Sequence, residues 1–201
     1  MNTAYCFDLD GTLTRQELLP LIARSVDLED EISVLTEATI AGLIPFEKSF
    51  KLRVRLLRDA EISWIHHVLE HEVEFQPEVL KFIQERPDQC FVVTGNLDIW
   101  VKPLLDKLGI QSFTSVAQLD SQGQLQTVKN ILNKSDAVRH LRERFETIIT
   151  VGEGMNDVPM FEQADWRIAF GATHEPNKLL CSLSDFVVYD GEALCKLLKM
   201  L

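Results

Sequence analysis

The sequence predicts an α/β fold in which a parallel sheet is flanked by helices and a small helical segment follows the first strand. Three observations predict it. After Pro77, short apolar runs alternate with amphipathic stretches, which is typical of a parallel sheet with helical crossovers. From Leu13 to about Phe75, by contrast, apolar residues recur only at the three- and four-residue spacing of helices. Polar clusters also follow the apolar runs directly, and open α/β sheets bind ligands at the carboxyl ends of their strands.

Each element follows from its local pattern. The first strand is predicted over residues 3–9, and helical spacing is clearest in the stretches 18–26, 46–57 and 62–69. Later strands are predicted at 90–96, 112–116, 147–151, 167–170 and 186–189. Further helices are predicted at 77–86, 97–108 and 134–145, and a hairpin at 118–126 around Ser121-Gln122-Gly123.

Composition restricts the classes of function. The chain of 201 residues has a net charge of −11, which argues against a nucleic-acid partner because phosphate backbones are bound by clustered cations. No apolar run approaches the roughly 20 residues of a membrane span. We therefore expect a cytoplasmic protein that does not bind membranes. The four cysteines are scattered and predicted to be buried, reduced thiols: Cys6, Cys90, Cys181 and Cys195.

The predicted first strand runs directly into two carboxylates, Asp8 and Asp10, followed by Gly11 and Thr12. Extended backbone would point both carboxylates to one side, since they are two residues apart. The backbone N–H groups of Gly11 and Thr12 would form a concavity suited to an anion. A carboxylate pair beside an anion site requires a cation between them, so we predict a divalent metal ion.

Three further polar clusters follow predicted strands or begin a predicted helix. The hydroxyl and backbone N–H groups of Thr94-Gly95-Asn96 can hold a phosphoryl oxygen. Lys134, at a loop-to-helix junction, can neutralise a phosphoryl group, although Lys129 competes for this role. The stretch from Gly152 to Asp157 supplies the carboxylates of Glu153 and Asp157, which are the hard oxygen ligands that Mg²⁺ prefers.

The stretch Asp8-Leu9-Asp10-Gly11-Thr12 resembles the first motif, D-x-D-x-[TV], of the haloacid dehalogenase (HAD) superfamily, and the later clusters resemble its other three motifs in order. The resemblance implies a Rossmann-like HAD fold with an inserted cap and a Mg²⁺-dependent phosphatase. It implies that Asp8 is the nucleophile and that Asp10 is the general acid and base, although spacing alone does not separate these roles. The remaining implied catalytic residues are Thr94 and Lys134, and the implied metal residues are Asp8, Asp10, Glu153 and Asp157, with Asp157 orienting waters or ligands.

Residues 46–57 resemble the F-E-x-[SA]-[LF]-x-x-R-V-x-L-L segment of the phosphoserine phosphatase subgroup. In that subgroup a glutamate and this arginine hold the substrate's ammonium and carboxylate, which implies these roles for Glu17 and Arg53. The other predicted substrate residues are Gly95, Asn96 and Asn156. Two positions depart from the subgroup pattern, because Glu153 replaces an aspartate and Asn96 replaces a glycine.

These motifs predict a phosphomonoester hydrolase that forms an aspartyl-phosphate, with O-phospho-L-serine as substrate and a role in serine biosynthesis. The predicted core domain comprises residues 1–13 and 76–201, and the predicted cap comprises residues 14–75. One alternative is a HAD phosphatase or phosphotransferase for another small phosphorylated metabolite. Another is a binding protein whose catalysis has lapsed at Glu153. The expected assembly is a monomer or a homodimer.

Overall fold

The computed structural model describes residues 2–201, and within this range seven strands form one sheet. The strands are β1 (Thr3–Phe7), β2 (Cys90–Leu97), β3 (Ser112–Leu119), β4 (Leu125–Asn130), β5 (Thr147–Gly152), β6 (Trp166–Phe170) and β7 (Phe186–Val188). Their order is β4-β3-β2-β1-β5-β6-β7. Neighbouring strands are parallel except for the hairpin of β3 and β4. The predicted parallel sheet is confirmed.

Helices cover both faces of this sheet. They are α1 (Leu18–Ala23), α2 (Glu29–Ile40), α3 (Phe46–Leu57), α4 (Ile62–Glu72), α5 (Pro77–Glu85), α6 (Asp98–Leu108), α7 (Lys134–Arg142), α8 (Val158–Phe161), α9 (Lys178–Leu183) and α10 (Gly191–Leu198). Side chains of β1 alternate between two apolar cores: Tyr5 and Phe7 join α5, α6 and α10, whereas Ala4 and Cys6 join α7 and α8. Burial on both faces explains why β1 is apolar from Ala4 to Phe7. No helix within residues 2–201 has the length and apolar character that a membrane crossing requires.

The helices α1 to α4 form one continuous insertion between β1 and α5. The chain enters and leaves this insertion side by side, because Thr14 and Phe75 form an antiparallel bridge. Next to it, the N–H of Gln76 donates to the carbonyl of Leu13 at 2.8 Å. This crossing point supports our proposal that residues 14–75 form a cap on a core made of the rest of the chain.

Several elements have bounds that local patterns did not predict. β1 ends at Phe7 rather than residue 9, because Leu9–Leu13 curl into a turn in which the N–H of Thr14 donates to the carbonyl of Leu9 at 2.9 Å. The strands β2 and β3 are longer than predicted because pairing with each other, and of β3 with β4, satisfies their backbone groups. Cys181 is partly exposed, whereas the other three cysteines are buried as predicted, and all four are free thiols.

Candidate active site

Lys134 lies at the centre of a buried ion-pair network. Its ammonium donates to Asp8 Oδ1 at 2.5 Å and to Asp157 Oδ1 at 2.6 Å, and none of the three side chains is more than 6% exposed. Burial alone would lower the pKa of Lys134, but the two carboxylates raise it above the ordinary lysine value. Lys129, its competitor in the sequence, is exposed on β4. The structure therefore brings Lys134, and not Lys129, to Asp8.

Asp8 begins the turn that follows β1. Its carboxylate is buried, and burial together with repulsion from Asp157 raises its pKa, which Lys134 partly opposes. The chain then reverses at Gly11, whose φ of 68° is readily adopted only by glycine. The strand that was expected to carry both Asp8 and Asp10 thus ends at Phe7, and both residues belong to the turn that follows it.

Asp10 is held by donors on both sides of its carboxylate. Its Oδ1 accepts from the backbone N–H of Leu18 at 3.1 Å, and Nδ2 of Asn96 donates to both oxygens at 2.9 and 2.7 Å. Burial, followed by repulsion from Glu17, raises the pKa of Asp10 to about 6. The amide nitrogen of Asn96, a predicted substrate residue, thus positions Asp10, whereas Asn96 Oδ1 has no hydrogen-bond partner within the described residues.

The loop after β5 is folded around Asp157. Its Oδ2 accepts from the N–H groups of Glu153 at 2.9 Å and Gly154 at 3.0 Å, while Oδ1 accepts from Lys134. A Cβ at Gly152 would lie 2.5 Å from Asp157 Cγ, so a larger residue does not fit there. Through these three hydrogen bonds Asp157 orients Lys134 and the loop after β5.

Glu153 is buried without a positively charged partner in the described residues. Its side chain is 2% exposed, and its Oε2 has no hydrogen-bond partner in the part of the chain that the structure describes. The carboxylate lies over Gly11, where a Cβ would collide with Oε1. Burial, followed by repulsion from Glu17 and Asp8, raises the pKa of Glu153 to about 10.

The donor set at this end of the sheet fits Mg²⁺. Carboxylates outnumber the basic side chains beside them, which are Lys134, Arg53 and His174 within the described residues. The acidic side chains are Asp8, Asp10, Glu17, Glu153 and Asp157. Within residues 2–201, neither Asp8 Oδ2 nor the Glu153 carboxylate accepts a hydrogen bond. Mg²⁺ is commonly bound by one or two carboxylates together with waters and substrate phosphate. Asp8 and Glu153 are therefore the residues that could hold it.

A cavity of about 50 Å³ separates this end of the sheet from the helices of the insertion. Every substrate residue predicted from the sequence lines it: Glu17, Arg53, Gly95, Asn96 and Asn156. Asp8, Asp10 and Thr94 also line it, whereas Lys134, Glu153 and Asp157 are not among its lining residues. The ring of Phe46 closes one side by lying against Gly95, where a Cβ would collide with it.

Arg53 reaches the cavity from α3 with its charge almost fully buried. It is 4% exposed, its NH1 donates to Thr36 Oγ1 at 3.0 Å, and its Nε has no partner within the described residues. Burial lowers its pKa, while Asp10 and Glu17 act in the opposite direction. Its neighbour Arg55 is exposed, as the sequence indicated.

Two residues at this site were not predicted from the sequence. Thr36 is one of two buried threonines on α2, and its partner Arg53 lies on another helix. His174 lies alone in the loop after β6, yet its Nε2 is 3.4 Å from Glu17 Oε1, and this contact raises the pKa of His174. The polar face of α2 could have suggested Thr36, but nothing near residue 174 pointed to a site.

The sheet, its helical insertion and the carboxylates at the end of the central strand define a Rossmann-like α/β enzyme with an acidic site. The model of the family described as haloacid dehalogenase-like hydrolase matches residues 6–162. The chain belongs to this family, and the resemblance of the first motif is thereby confirmed.

Relatives make the family assignment more specific. The phosphoserine phosphatase of Methanocaldococcus jannaschii is 30% identical over 177 residues, covering 83% of this chain and 84% of that protein. A solved complex described as substrate-bound phosphoserine phosphatase has a TM-score of 0.85 at 25% identity and covers 98% of both chains. A phospho-aspartyl intermediate analogue of phosphoserine phosphatase has a TM-score of 0.82 at 26% identity and covers 96% of this chain and 97% of that one. The whole chain therefore has the fold of these enzymes.

Proposed function

We propose that this protein hydrolyses O-phospho-L-serine to L-serine and phosphate through an aspartyl-phosphate on Asp8. The observation that carries the proposal is the small cavity, because it joins Asp8 to the residues suited to both ends of an amino acid, Glu17 and Arg53. Similarity to phosphoserine phosphatases over almost the whole fold supports it. The proposal includes a role in serine biosynthesis in the cytoplasm.

Asp8 is the proposed nucleophile. Its Oδ1 is held by Lys134, which leaves Oδ2 without a protein hydrogen bond within the described residues and therefore able to attack phosphorus. The Lys134 ammonium stays charged and counters the negative charge that gathers around the transferring group. Thr94 and the backbone of Gly95 line the same cavity and can donate to phosphoryl oxygens.

Asp10 is the proposed general acid and base. A pKa of about 6 keeps a fraction of its carboxyl groups protonated near neutral pH, which suits proton donation to the leaving serine oxygen. Once the alcohol has left, the same carboxylate can take a proton from the water that hydrolyses the aspartyl-phosphate. The amide of Asn96 keeps both oxygens in position.

Asp8 and Glu153 would hold Mg²⁺, which when bound supplies positive charge beside the phosphate. Asp157 keeps Lys134 and the Glu153 loop in place through three hydrogen bonds. Phe46 and the α2 and α3 helices exclude water from the cavity, which protects the aspartyl-phosphate from premature reaction.

Arg53 is the proposed carboxylate ligand of the substrate. A guanidinium can grip a carboxylate through two parallel hydrogen bonds, and the buried Nε of Arg53 has no protein partner within residues 2–201. Glu17 would receive the substrate ammonium. Its contact with His174 is the one observation that favours the alternative substrate, a small phosphomonoester without an amino group.

The test is phosphate release from O-phospho-L-serine and from O-phosphoethanolamine, which has the ammonium but no carboxylate. We expect Arg53→Ala to lower kcat/KM for phosphoserine by about 10- to 150-fold, the value of a hydrogen bond to a charged group. The same change should alter phosphoethanolamine turnover less than about threefold, since no carboxylate contact is lost. Arg55→Ala is the matched control, because Arg55 is exposed on the same helix.

Other outcomes would revise the proposal in defined ways. Equal losses on both substrates would remove Arg53 as a carboxylate ligand. Preference for a different phosphomonoester, or transfer of phosphate to an added alcohol, would keep the chemistry and replace the substrate. Binding of phosphate without turnover of any ester would identify a lapsed enzyme.

A further inference from the structure

Three buried polar atoms converge next to the proposed active site. Glu153 Oε2 has no hydrogen-bond partner in residues 2–201, and Glu17 Oε1 and His174 Nε2 have only their 3.4 Å contact with each other. A ligand atom from each of these residues lies within 4.8 Å of the other two. Glu153, which is 2% exposed, directs its carboxylate into the cluster. Because unmatched buried acceptors are costly, a cation that accepts lone pairs from all three would stabilise this arrangement.

The geometry points to a Zn²⁺-type transition-metal ion held by Glu17, Glu153 and His174. One imidazole nitrogen with two carboxylates is a donor set that suits such ions. Two ligands that each lie about 2.1 Å from a tetrahedral ion are about 3.4 Å apart. The observed separation of Glu17 Oε1 and His174 Nε2 is 3.4 Å. Three protein ligands leave the fourth position to a water molecule or another exogenous ligand.

This site is chemically distinct from the Mg²⁺ position at Asp8. The residues around Asp8 offer oxygen ligands only, whereas His174 adds a nitrogen, which favours a softer ion. Glu153 is the residue that the two positions share. It is one methylene longer than the aspartate of the family pattern, and this length carries its carboxylate over Gly11 to the neighbourhood of His174.

The surroundings provide a path for the ion and a consequence of its binding. Glu17 and His174 both line a cavity of about 560 Å³, which is separate from the small one at Asp8. Glu17 immediately precedes α1, whereas His174 belongs to the loop after β6, so the ion joins the helical insertion to the rest of the molecule. This metal site depends on the positions of Glu17, Glu153 and His174, and it does not depend on which phosphomonoester is hydrolysed.

The test uses Co²⁺ as a probe, because the tetrahedral ion absorbs visible light far more strongly than the octahedral one. Co²⁺ is titrated into the full chain at neutral pH before any Mg²⁺ is added, because both ions use Glu153, and Mg²⁺ is supplied only afterwards for the activity measurement. We expect one equivalent to produce the intense visible bands of a tetrahedral ion. The bands should disappear in His174→Gln and persist in Asp8→Asn.

The matched control is His71→Gln, because the His67 and His71 rings lie 4.3 Å apart on α4 and offer Co²⁺ an alternative pair of imidazole ligands. The bands should be unchanged in this variant. Absence of the bands in the unmodified protein, their survival in His174→Gln, or their loss in Asp8→Asn or His71→Gln would each overturn the inference. Phosphate release from phosphoserine in the same samples is measured separately, so failure of the metal site and failure of the proposed function are distinguishable.

Discussion

Two buried groups of charges meet at the carboxyl end of β1, and they are balanced differently. In the first, the Lys134 ammonium donates to Asp8 and Asp157. In the second, the carboxylate of Glu153 faces Glu17 and has no donor within residues 2–201. Depth does not separate them, since Lys134 is 3% exposed and Glu153 is 2% exposed. The two groups differ because only the first contains a cation that belongs to the chain, the ammonium of Lys134.

The comparison shows that the polypeptide supplies a counter-ion for Asp8 and Asp157 but none for Glu153. Ionised groups that are paired and hydrogen-bonded can stay charged when buried. A buried carboxylate without such a partner takes up a proton instead, as the pKa of about 10 for Glu153 indicates. The charge on Glu153 therefore depends on a cation from solution, whereas the charge on Lys134 does not.

The largest effect is expected from removing the internal cation with Lys134→Met. Asp8 and Asp157 would remain buried without compensation, so the free energy of unfolding should fall by about 3–5 kcal/mol. Phosphate release should fall to background because the nucleophile loses its partner. Urea unfolding and phosphate release measure the two effects. The control is Lys129→Met at an exposed position, where we expect a change within about 0.5 kcal/mol. Wild-type stability in Lys134→Met would show that the ion pairs of Lys134 do not stabilise the folded protein.

A smaller effect is expected from Glu153→Gln in metal-free protein. The pKa of Glu153 is about 10 when folded and about 4.3 when unfolded. Between these values the folded state binds one more proton, so this residue's contribution to stability falls as pH rises. Glutamine removes that contribution. Relative to wild type, the free energy of unfolding of Glu153→Gln should therefore increase by up to about 1.4 kcal/mol for each unit by which the pH rises.

Urea unfolding at pH 6, 7 and 8 in the presence of a chelator measures this divergence. Added Mg²⁺ should reduce it, because a bound cation keeps the wild-type carboxylate charged at lower cost. Parallel pH profiles for the two proteins would show that Glu153 is not protonated in the folded state.

The smallest effect on turnover is expected from Glu153→Asp, which keeps the charge and removes one methylene. The shorter carboxylate should still support Mg²⁺ at Asp8, so Mg²⁺-dependent turnover should stay within about tenfold of wild type, or 1.4 kcal/mol. It should no longer reach His174, so the intense Co²⁺ bands should be lost. Bands of wild-type intensity in Glu153→Asp would show that side-chain length does not create the second site.

Local patterns were sufficient for the elements and motifs whose physical cause is local. Apolar runs predicted the buried strands, and the polar residues at their ends predicted Asp8, Thr94 and Glu153 as neighbours. Strand ends were predicted less well, because pairing between distant strands decides them. β2, for example, continues past Thr94 to Leu97, where it pairs with Ser115 of β3.

Contacts between distant side chains could not be predicted. Asn96 donates to Asp10 across 86 residues, and His174 meets Glu17 from the far end of the chain. Neither residue has a neighbour in sequence that reveals its partner. Asn96 was assigned to substrate and His174 to no site, because a lone polar side chain has no periodicity to interpret.

The sequence by itself determined the α/β architecture, the helical insertion and the family, because hydrophobic spacing and short motifs depend on neighbouring residues. Only the tertiary structure decided which buried charges lie beside an opposite charge. Lys134 begins α7 and Glu153 follows β5, and both lie near the same strand ends, yet one meets two opposite charges and the other meets like charges. Electrostatic balance depends on distance and burial, and folding alone brings these groups within a few ångströms of one another.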